Sequence, residues 1–302
     1  MKNGRTAVAD DARHDSTLAR TVGDYVALTK PRLNLLVVAT SAAGYYLGAS
    51  GPLSLPHMAA AVAGTTLVAG GAATLNQVYE RDTDALMRRT RMRPLPDGRV
   101  SAFDARTFGL LLSAAGLVLL GALVNLPAMA LALTTLVVYL IIYTPMKRRS
   151  SVATLVGAVP GALPPLIGWA ASHGGVSLGG AALFLIVFLW QIPHFMAIAW
   201  LYRDDYGKAG FPMLPVIEPE GRRTGRQAVA YAAALVPASL IPAVIGLSGT
   251  VYAAFAIVLG VALVWLAVRF AATRSDGSAR WLFFSSITYL PILWIVMMAD
   301  KL

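Results

Sequence analysis

Nine apolar stretches, each long enough to cross a bilayer, follow one another along almost the entire chain. They cover approximately residues 31–50, 55–79, 107–124, 127–146, 151–171, 177–201, 227–248, 250–268 and 281–299. A helix needs about 17 to 25 apolar residues to span the hydrocarbon. None of the stretches shows the two-residue alternation of a lipid-facing barrel strand, so each must satisfy its backbone internally as an α-helix. The predicted fold class is therefore all-α, a polytopic membrane protein of nine transmembrane helices. Residues 1–24, with four aspartates and no apolar core, read as a flexible tail ahead of one membrane domain over residues 25–302.

Charge placement tests that count. Connecting nine spans puts polar segments on alternating sides, and one side then receives 24 of the 25 Lys and Arg residues, leaving only Lys301 on the other. The rich side is cytoplasmic by the positive-inside rule. The N-terminus is expected inside and the C-terminus outside, in a bacterial-type cytoplasmic membrane. The net charge of +10 is thus an orientation signal with some attraction to anionic head groups, and no nucleic-acid partner is expected. A chain with no cysteine has neither disulfides nor thiolate metal sites.

The two longest inward connections follow helices 2 and 6 and form the expected cytoplasmic cap. At the end of helix 2, Asn76, Glu80 and Asp84 stand at i, i+4 and i+8, on one stripe of a 3.6-residue helix. An arginine-rich segment follows, from Arg88 to Pro96. Oxygen ligands suit a hard divalent cation, and Mg²⁺ commonly uses one or two carboxylates together with substrate phosphate oxygens; the adjoining arginines suit phosphate. The alternative is that the acids merely end the helix and pair with Arg81, Arg88 or Arg89. Acids at a helix C-terminus oppose the macrodipole, which speaks against a purely structural role. Tyr202-Arg203-Asp204-Asp205-Tyr206, after helix 6, loosely repeats the Tyr79–Asp82 pattern.

Two further features lie within the membrane. Helix 5 carries Pro160, Pro164 and Pro165 with Gly157 and Gly161, and the expectation is irregular backbone lining a pocket, with a packing kink as the alternative. Helix 6 carries Gln191-Ile192-Pro193-His194. Pro193 is expected to kink it, and His194 is an ionisable group at membrane depth that could serve a ligand or simply bond a neighbouring helix.

Several blocks in order carry a resemblance. They are Thr29-Lys30-Pro31-Arg32, Asn76-x3-Glu80-x-Asp82-x-Asp84, Met87-x-Arg89-Thr90-x2-Arg93-Pro94-Leu95-Pro96, Tyr143-Thr144-x2-Lys147-Arg148, Gly157 through Trp169, Gln191-x2-His194-Phe195, and Asp205-Tyr206-x3-Gly210-x-Pro212-Met213-Leu214-Pro215. On these the chain, from about residue 23 onward, resembles the intramembrane aromatic prenyltransferases, and within them the heme-directed branch. The resemblance implies nine helices around a lipid-open central cavity. It also implies two acidic motifs holding Mg²⁺ and a prenyl diphosphate. Three departures from the family pattern stand out. Glu80 occupies the usual central Asp, the second motif lacks the usual spacing so that Asp205 is favoured over Asp204, and Ala153 stands where Asn is usual.

The implied reaction is transfer of farnesyl from farnesyl diphosphate to the vinyl group of protoheme IX, with addition of water, giving heme O and diphosphate. Implied metal ligands and catalytic groups are Asn76, Glu80, Asp84 and Asp205. Arg89, Arg93, Lys147 and Arg148 are the candidate diphosphate clamps, and His194 is the candidate heme contact. Membrane lipid and a downstream heme-modifying enzyme are further implied partners. Prenylation of a quinone precursor would share the metal site and differ in acceptor. A cation or lipid transporter would need charge near mid-membrane and a feature on the outward side, and the outward loops offer almost none.

Overall fold

The computed structural model of the chain describes residues 20–302. The expected tail over residues 1–24 lies outside the described residues as far as residue 19, and residues 20–28 are helical, here α1. Lys30, in a left-handed conformation, turns the chain into α2 (Pro31–Gly48), whose first helical position is Pro31. Proline suits that position because its missing N–H would have had no partner there.

α3 (Leu55–Tyr79) is followed by the short α4 (Arg81–Asp84), a run of turns, and α5 (Ala102–Leu123). Ser101 caps α5 by accepting from the Asp104 N–H. α6 (Leu126–Val137) continues through a π-helical segment, Val138–Tyr143, into α7 (Thr144–Met146). Next come α8 (Ala153–His173), α9 (Leu178–Leu201) and the two cap helices α10 (Arg203–Lys208) and α11 (Leu214–Ile217). Three long helices close the chain: α12 (Arg222–Val244), α13 (Thr250–Thr273) and α14 (Asp276–Ala299).

Among the described residues, eight helices are long and apolar enough to cross a membrane. α2 falls short of them in hydropathy because Arg32, Asn34, Tyr45 and Tyr46 interrupt its apolar run. Several helices begin before their apolar stretch. α12 and α14 each start with polar or charged residues, Arg222 and Asp276 onward, because helical propensity and capping extend a helix past the membrane edge.

α8 and α9 form the centre. In its apolar stretch α8 is 67% buried inside the protein, against 28% for the peripheral α13. α2 packs along α8, α3 along α5, and α9 against α8, α12 and α14. The α2–α8 contact is backbone to backbone: a Cβ on Gly168 would lie 1.9 Å from the Ser41 carbonyl oxygen, and one on Gly44 2.1 Å from that of Pro165. Small residues that permit such an approach are enriched wherever membrane helices pack closely.

The expectation of irregular backbone in helix 5 is corrected here. α8 runs as one α-helix through Pro160, Pro164 and Pro165, all three buried. The helix is also tied to its neighbour in this stretch, where the Gln191 side chain from α9 donates to the Ala158 carbonyl at 2.7 Å. α9 likewise continues through Pro193. The departure from α geometry falls instead at Val138–Tyr143, just before Pro145, which has no N–H to give the Ile141 carbonyl within that segment.

Candidate active site

The polar residues expected to carry chemistry collect at one end of the bundle, where α3 and α9 both finish. α3 ends at Tyr79, and Glu80 leaves helical geometry with φ −95° and ψ 7°. The i to i+4 pattern survives the break, since the Glu80 N–H donates to the Asn76 carbonyl at 2.9 Å and the Asp84 N–H to that of Glu80 at 2.8 Å. The stripe therefore stays intact. Asn76, Glu80 and Asp84 are 2%, 4% and 1% exposed, whereas the Asp82 side chain points outward and pairs with Arg81.

Each buried acid meets a cation from elsewhere in the chain. Lys147 Nζ lies 3.0 and 3.1 Å from the two carboxylate oxygens of Glu80. Arg93 donates to Asp84 Oδ2 at 2.6 Å. Asn76 Oδ1 accepts from Lys30 Nζ and from the Tyr139 hydroxyl, each at 3.4 Å. Its Nδ2 donates to Thr144 Oγ1 at 3.2 Å. Burial, then the charge of Arg93, pushes the Lys30 ammonium down to about 7. Burial also opposes the charge of Lys147, but Tyr143 and the Glu80 carboxylate outweigh it and hold that amine above the ordinary lysine range. Two carboxylates thus sit among Arg93, Lys147 and the Lys30 amine, a basic surround that suits a polyanion.

The two cap segments meet over this cluster. Met87, from the turns after α4, packs with Tyr206, Ala209, Phe211 and Met213 from the segment after α9. The Arg89 guanidinium lies 5.1 Å from the Tyr202 ring centre and 5.6 Å from that of Tyr206, and it donates to the Tyr206 hydroxyl at 3.4 Å. Lys147 also stands 4.8 Å from the Phe211 ring centre. Turns between α4 and α5 are held by Thr90, whose hydroxyl donates to the Asp84 carbonyl at 2.7 Å.

Of the residues expected in the site, Asn76, Glu80, Asp84, Arg93 and Lys147 are brought together, with Arg89 bridging to α10. Asp205 is half-buried on α10 and Asp204 is exposed. Arg148 is exposed. Among the described residues, no three His, Asp or Glu side chains converge closely enough to hold a metal as they stand. An amide oxygen and two buried carboxylates on one stripe nonetheless form the hard-oxygen donor set that suits a small divalent cation. The alternative pairing with Arg81, Arg88 or Arg89 does not occur at Glu80 or Asp84, whose partners are Lys147 and Arg93.

His194 lies elsewhere, between α9 and α14. Its Nδ1 is 2.8 Å from Ser286 Oγ, and its ring stacks on Trp190 and Phe283 at 5.5 and 5.0 Å between centres. Lys30, Tyr139 and Thr144 were not singled out from sequence as site residues. Lys30 sits in the Thr29–Arg32 block, and Tyr139 stands four residues before Tyr143 and eight before Lys147, a helical spacing that aims all three at one region.

An all-α membrane bundle with buried acids and cations crowded at one end defines a class of integral membrane protein built to handle a charged group at the membrane edge. Residues 37–288 match the UbiA prenyltransferase family, and the chain belongs to that family. It is 46% identical to a protoheme IX farnesyltransferase of Solibacter usitatus, over 92% of this chain and 98% of that protein. It is 47% identical to another of Opitutus terrae, over 92% and 95%. Its fold is similar to a solved structure from work on digeranylgeranylglyceryl phosphate synthase in membranes, with TM-score 0.79 at 16% identity, over 93% of this chain and 98% of that one. It is also similar to a UbiA homologue from Archaeoglobus fulgidus bound to GPP and Mg²⁺, with TM-score 0.66 at 19% identity, over 91% and 99%.

Proposed function

We infer that the protein transfers the farnesyl group of farnesyl diphosphate to a vinyl group of protoheme IX, with addition of water, giving heme O and diphosphate. The full-length likeness to protoheme IX farnesyltransferases supports the acceptor. The buried stripe of Asn76, Glu80 and Asp84, faced by Lys30, Arg93 and Lys147, is the observation that carries the chemistry. The protein is integral to a bacterial inner membrane. We read α2 as a ninth span, the N-terminus as cytoplasmic and the C-terminus as outside. A downstream heme-modifying enzyme is a further candidate partner.

Asn76, Glu80 and Asp84, with Asp205 across the cap, are the residues that would hold Mg²⁺, which supplies positive charge to the leaving diphosphate. Lys147, Arg93 and Arg89 are placed to bind diphosphate oxygens, with Arg148 at the rim, and to stabilise the negative charge that grows as the allylic carbon–oxygen bond breaks. The bond's electron pair leaves with diphosphate. The vinyl group then attacks the farnesyl carbon, and water adds to the resulting cation beside the porphyrin and loses a proton. Burial of the acid stripe beneath the two cap segments limits bulk water, which would otherwise capture the farnesyl cation. His194 is the proposed heme contact.

Purified protein incubated with protoheme IX, farnesyl diphosphate and Mg²⁺ should yield heme O in the extracted hemes by mass spectrometry. Glu80→Gln and Asp84→Asn should each lower the yield about a hundredfold or more, with the protein still folded in membranes. Full turnover in both variants would remove the assigned roles. Activity on an aromatic acid in place of protoheme would change the acceptor.

A further inference from the structure

Asn76 can serve a cation only if its amide oxygen, rather than its NH₂ group, faces the cluster. Side-chain amides can flip, and the two orientations fill almost the same space. We propose that Thr144 sets this orientation through the π-helical turn before it, and so acts as a positioning residue for the metal and diphosphate site. This rests on the site reading above.

The reason lies in donors and acceptors. Thr144 is fully buried, and its hydroxyl lies 2.7 Å from the Tyr139 carbonyl oxygen. A carbonyl can only accept, so the single hydroxyl proton of Thr144 is committed to it. What remains on Thr144 Oγ1 is acceptor capacity, and the neighbouring terminal atom of Asn76, 3.2 Å away, must be the NH₂ nitrogen. Asn76 Oδ1 is thereby turned toward Lys30 Nζ and the Tyr139 hydroxyl, both of which can donate. The Thr144 acceptor selects this orientation, and the two donors accommodate it.

The π-helical segment supplies the geometry. Thr144 bonds to the carbonyl five residues earlier, not four, because Val138–Tyr143 is wound with i to i+5 spacing. The same segment stacks Tyr139 on Tyr143 with 5.4 Å between ring centres. One local rewinding therefore aims a hydroxyl proton backward, an acceptor forward and the Tyr139 phenol at Asn76. Outer partners of this kind orient the groups that touch an ion, and losing one typically costs about 10- to 100-fold in affinity.

The test compares Thr144→Val, which keeps the shape and removes the hydroxyl, with Thr144→Ser, which keeps the hydroxyl. The readout is binding of Mn²⁺ to solubilised full-length protein in the presence of unreactive farnesyl thiodiphosphate. It is followed by electron paramagnetic resonance of free Mn²⁺, with no turnover and no heme. Thr144→Val should weaken Mn²⁺ binding about tenfold, and Thr144→Ser should restore it to within about twofold of the parent, given an unchanged hydroxyl inventory. Equal Mn²⁺ affinity in the parent and Thr144→Val overturns the proposal. So does equal weakening in both variants, which assigns Thr144 to packing. If Thr144→Val does not fold, Thr144→Ala takes its place: weakening that Thr144→Ser avoids supports the positioning role, and parent-like affinity overturns it. Absence of Mn²⁺ binding by the parent itself would instead remove the metal site on which this inference rests.

Discussion

Lys147 and Glu80 form a two-point ion pair, the ammonium 3.0 Å from one carboxylate oxygen and 3.1 Å from the other, with the carboxylate side chain only 4% exposed. The pair joins the end of α3 to the end of α7 across 67 positions of sequence. In the proposed reaction the cation would serve the leaving diphosphate and the carboxylate the metal ion.

Truncating Lys147 to Met should leave the Glu80 carboxylate buried without its counter-charge. Breaking such a pair from one side costs about 3 to 5 kcal/mol, so the melting temperature in detergent should fall well below the parent's. Adding Glu80→Gln should recover part of the loss. No change in melting on Lys147→Met would mean that Glu80 finds another partner or water.

Gly168→Ala should separate α2 from α8. The added methyl would sit 1.9 Å from the Ser41 carbonyl oxygen, and backbone cannot yield as a side chain can. Overpacking costs about 1 to 3 kcal/mol where side chains can adjust, and the upper end is expected here. Thermal unfolding of the purified variant measures it, and a parent-like melting curve would contradict the close α2–α8 approach.

His194→Ala should weaken the absorption change on protoheme binding while leaving the affinity for farnesyl thiodiphosphate within about twofold of the parent's. Its ring lies at the α9–α14 interface, apart from the acid stripe, and non-contacting sites act nearly independently. Equal losses of both would make His194 a packing residue, bonded to Ser286 and stacked on Trp190 and Phe283 for that purpose.

The absence of cysteine allows the topology to be read with single introduced thiols. Asp97→Cys should be shielded from a membrane-impermeant maleimide added to intact cells, and Gly51→Cys should react with it. The opposite pattern would invert the assigned orientation.

The long apolar runs required an all-α membrane protein before any contact was known, because in hydrocarbon a backbone must satisfy itself and only one period was present. The stripe of Asn76, Glu80 and Asp84 was equally legible, since four-residue spacing places side chains together whether or not the helix pauses at Glu80. Which cation would face each acid was not. Arg81, Arg88 and Arg89 are near in sequence, yet Asp84 takes Arg93, which the local turns rather than mere proximity select, and Glu80 takes Lys147, 67 positions away, because pairing inside a bundle follows helix packing and burial. Lys30 and Thr144 reach Asn76 for the same reason. Local sequence also misled at α8, where three prolines suggested broken backbone and the surrounding helices sustained a continuous one. The π-turn at Val138–Tyr143 had a mark in Pro145 just after it, which lacks the N–H that the Ile141 carbonyl would have met, but its winding was decided by packing. Composition and period determine what a segment must be in a membrane; only the packed bundle decides which side chains share one low-dielectric space, and the site's chemistry resides in that sharing.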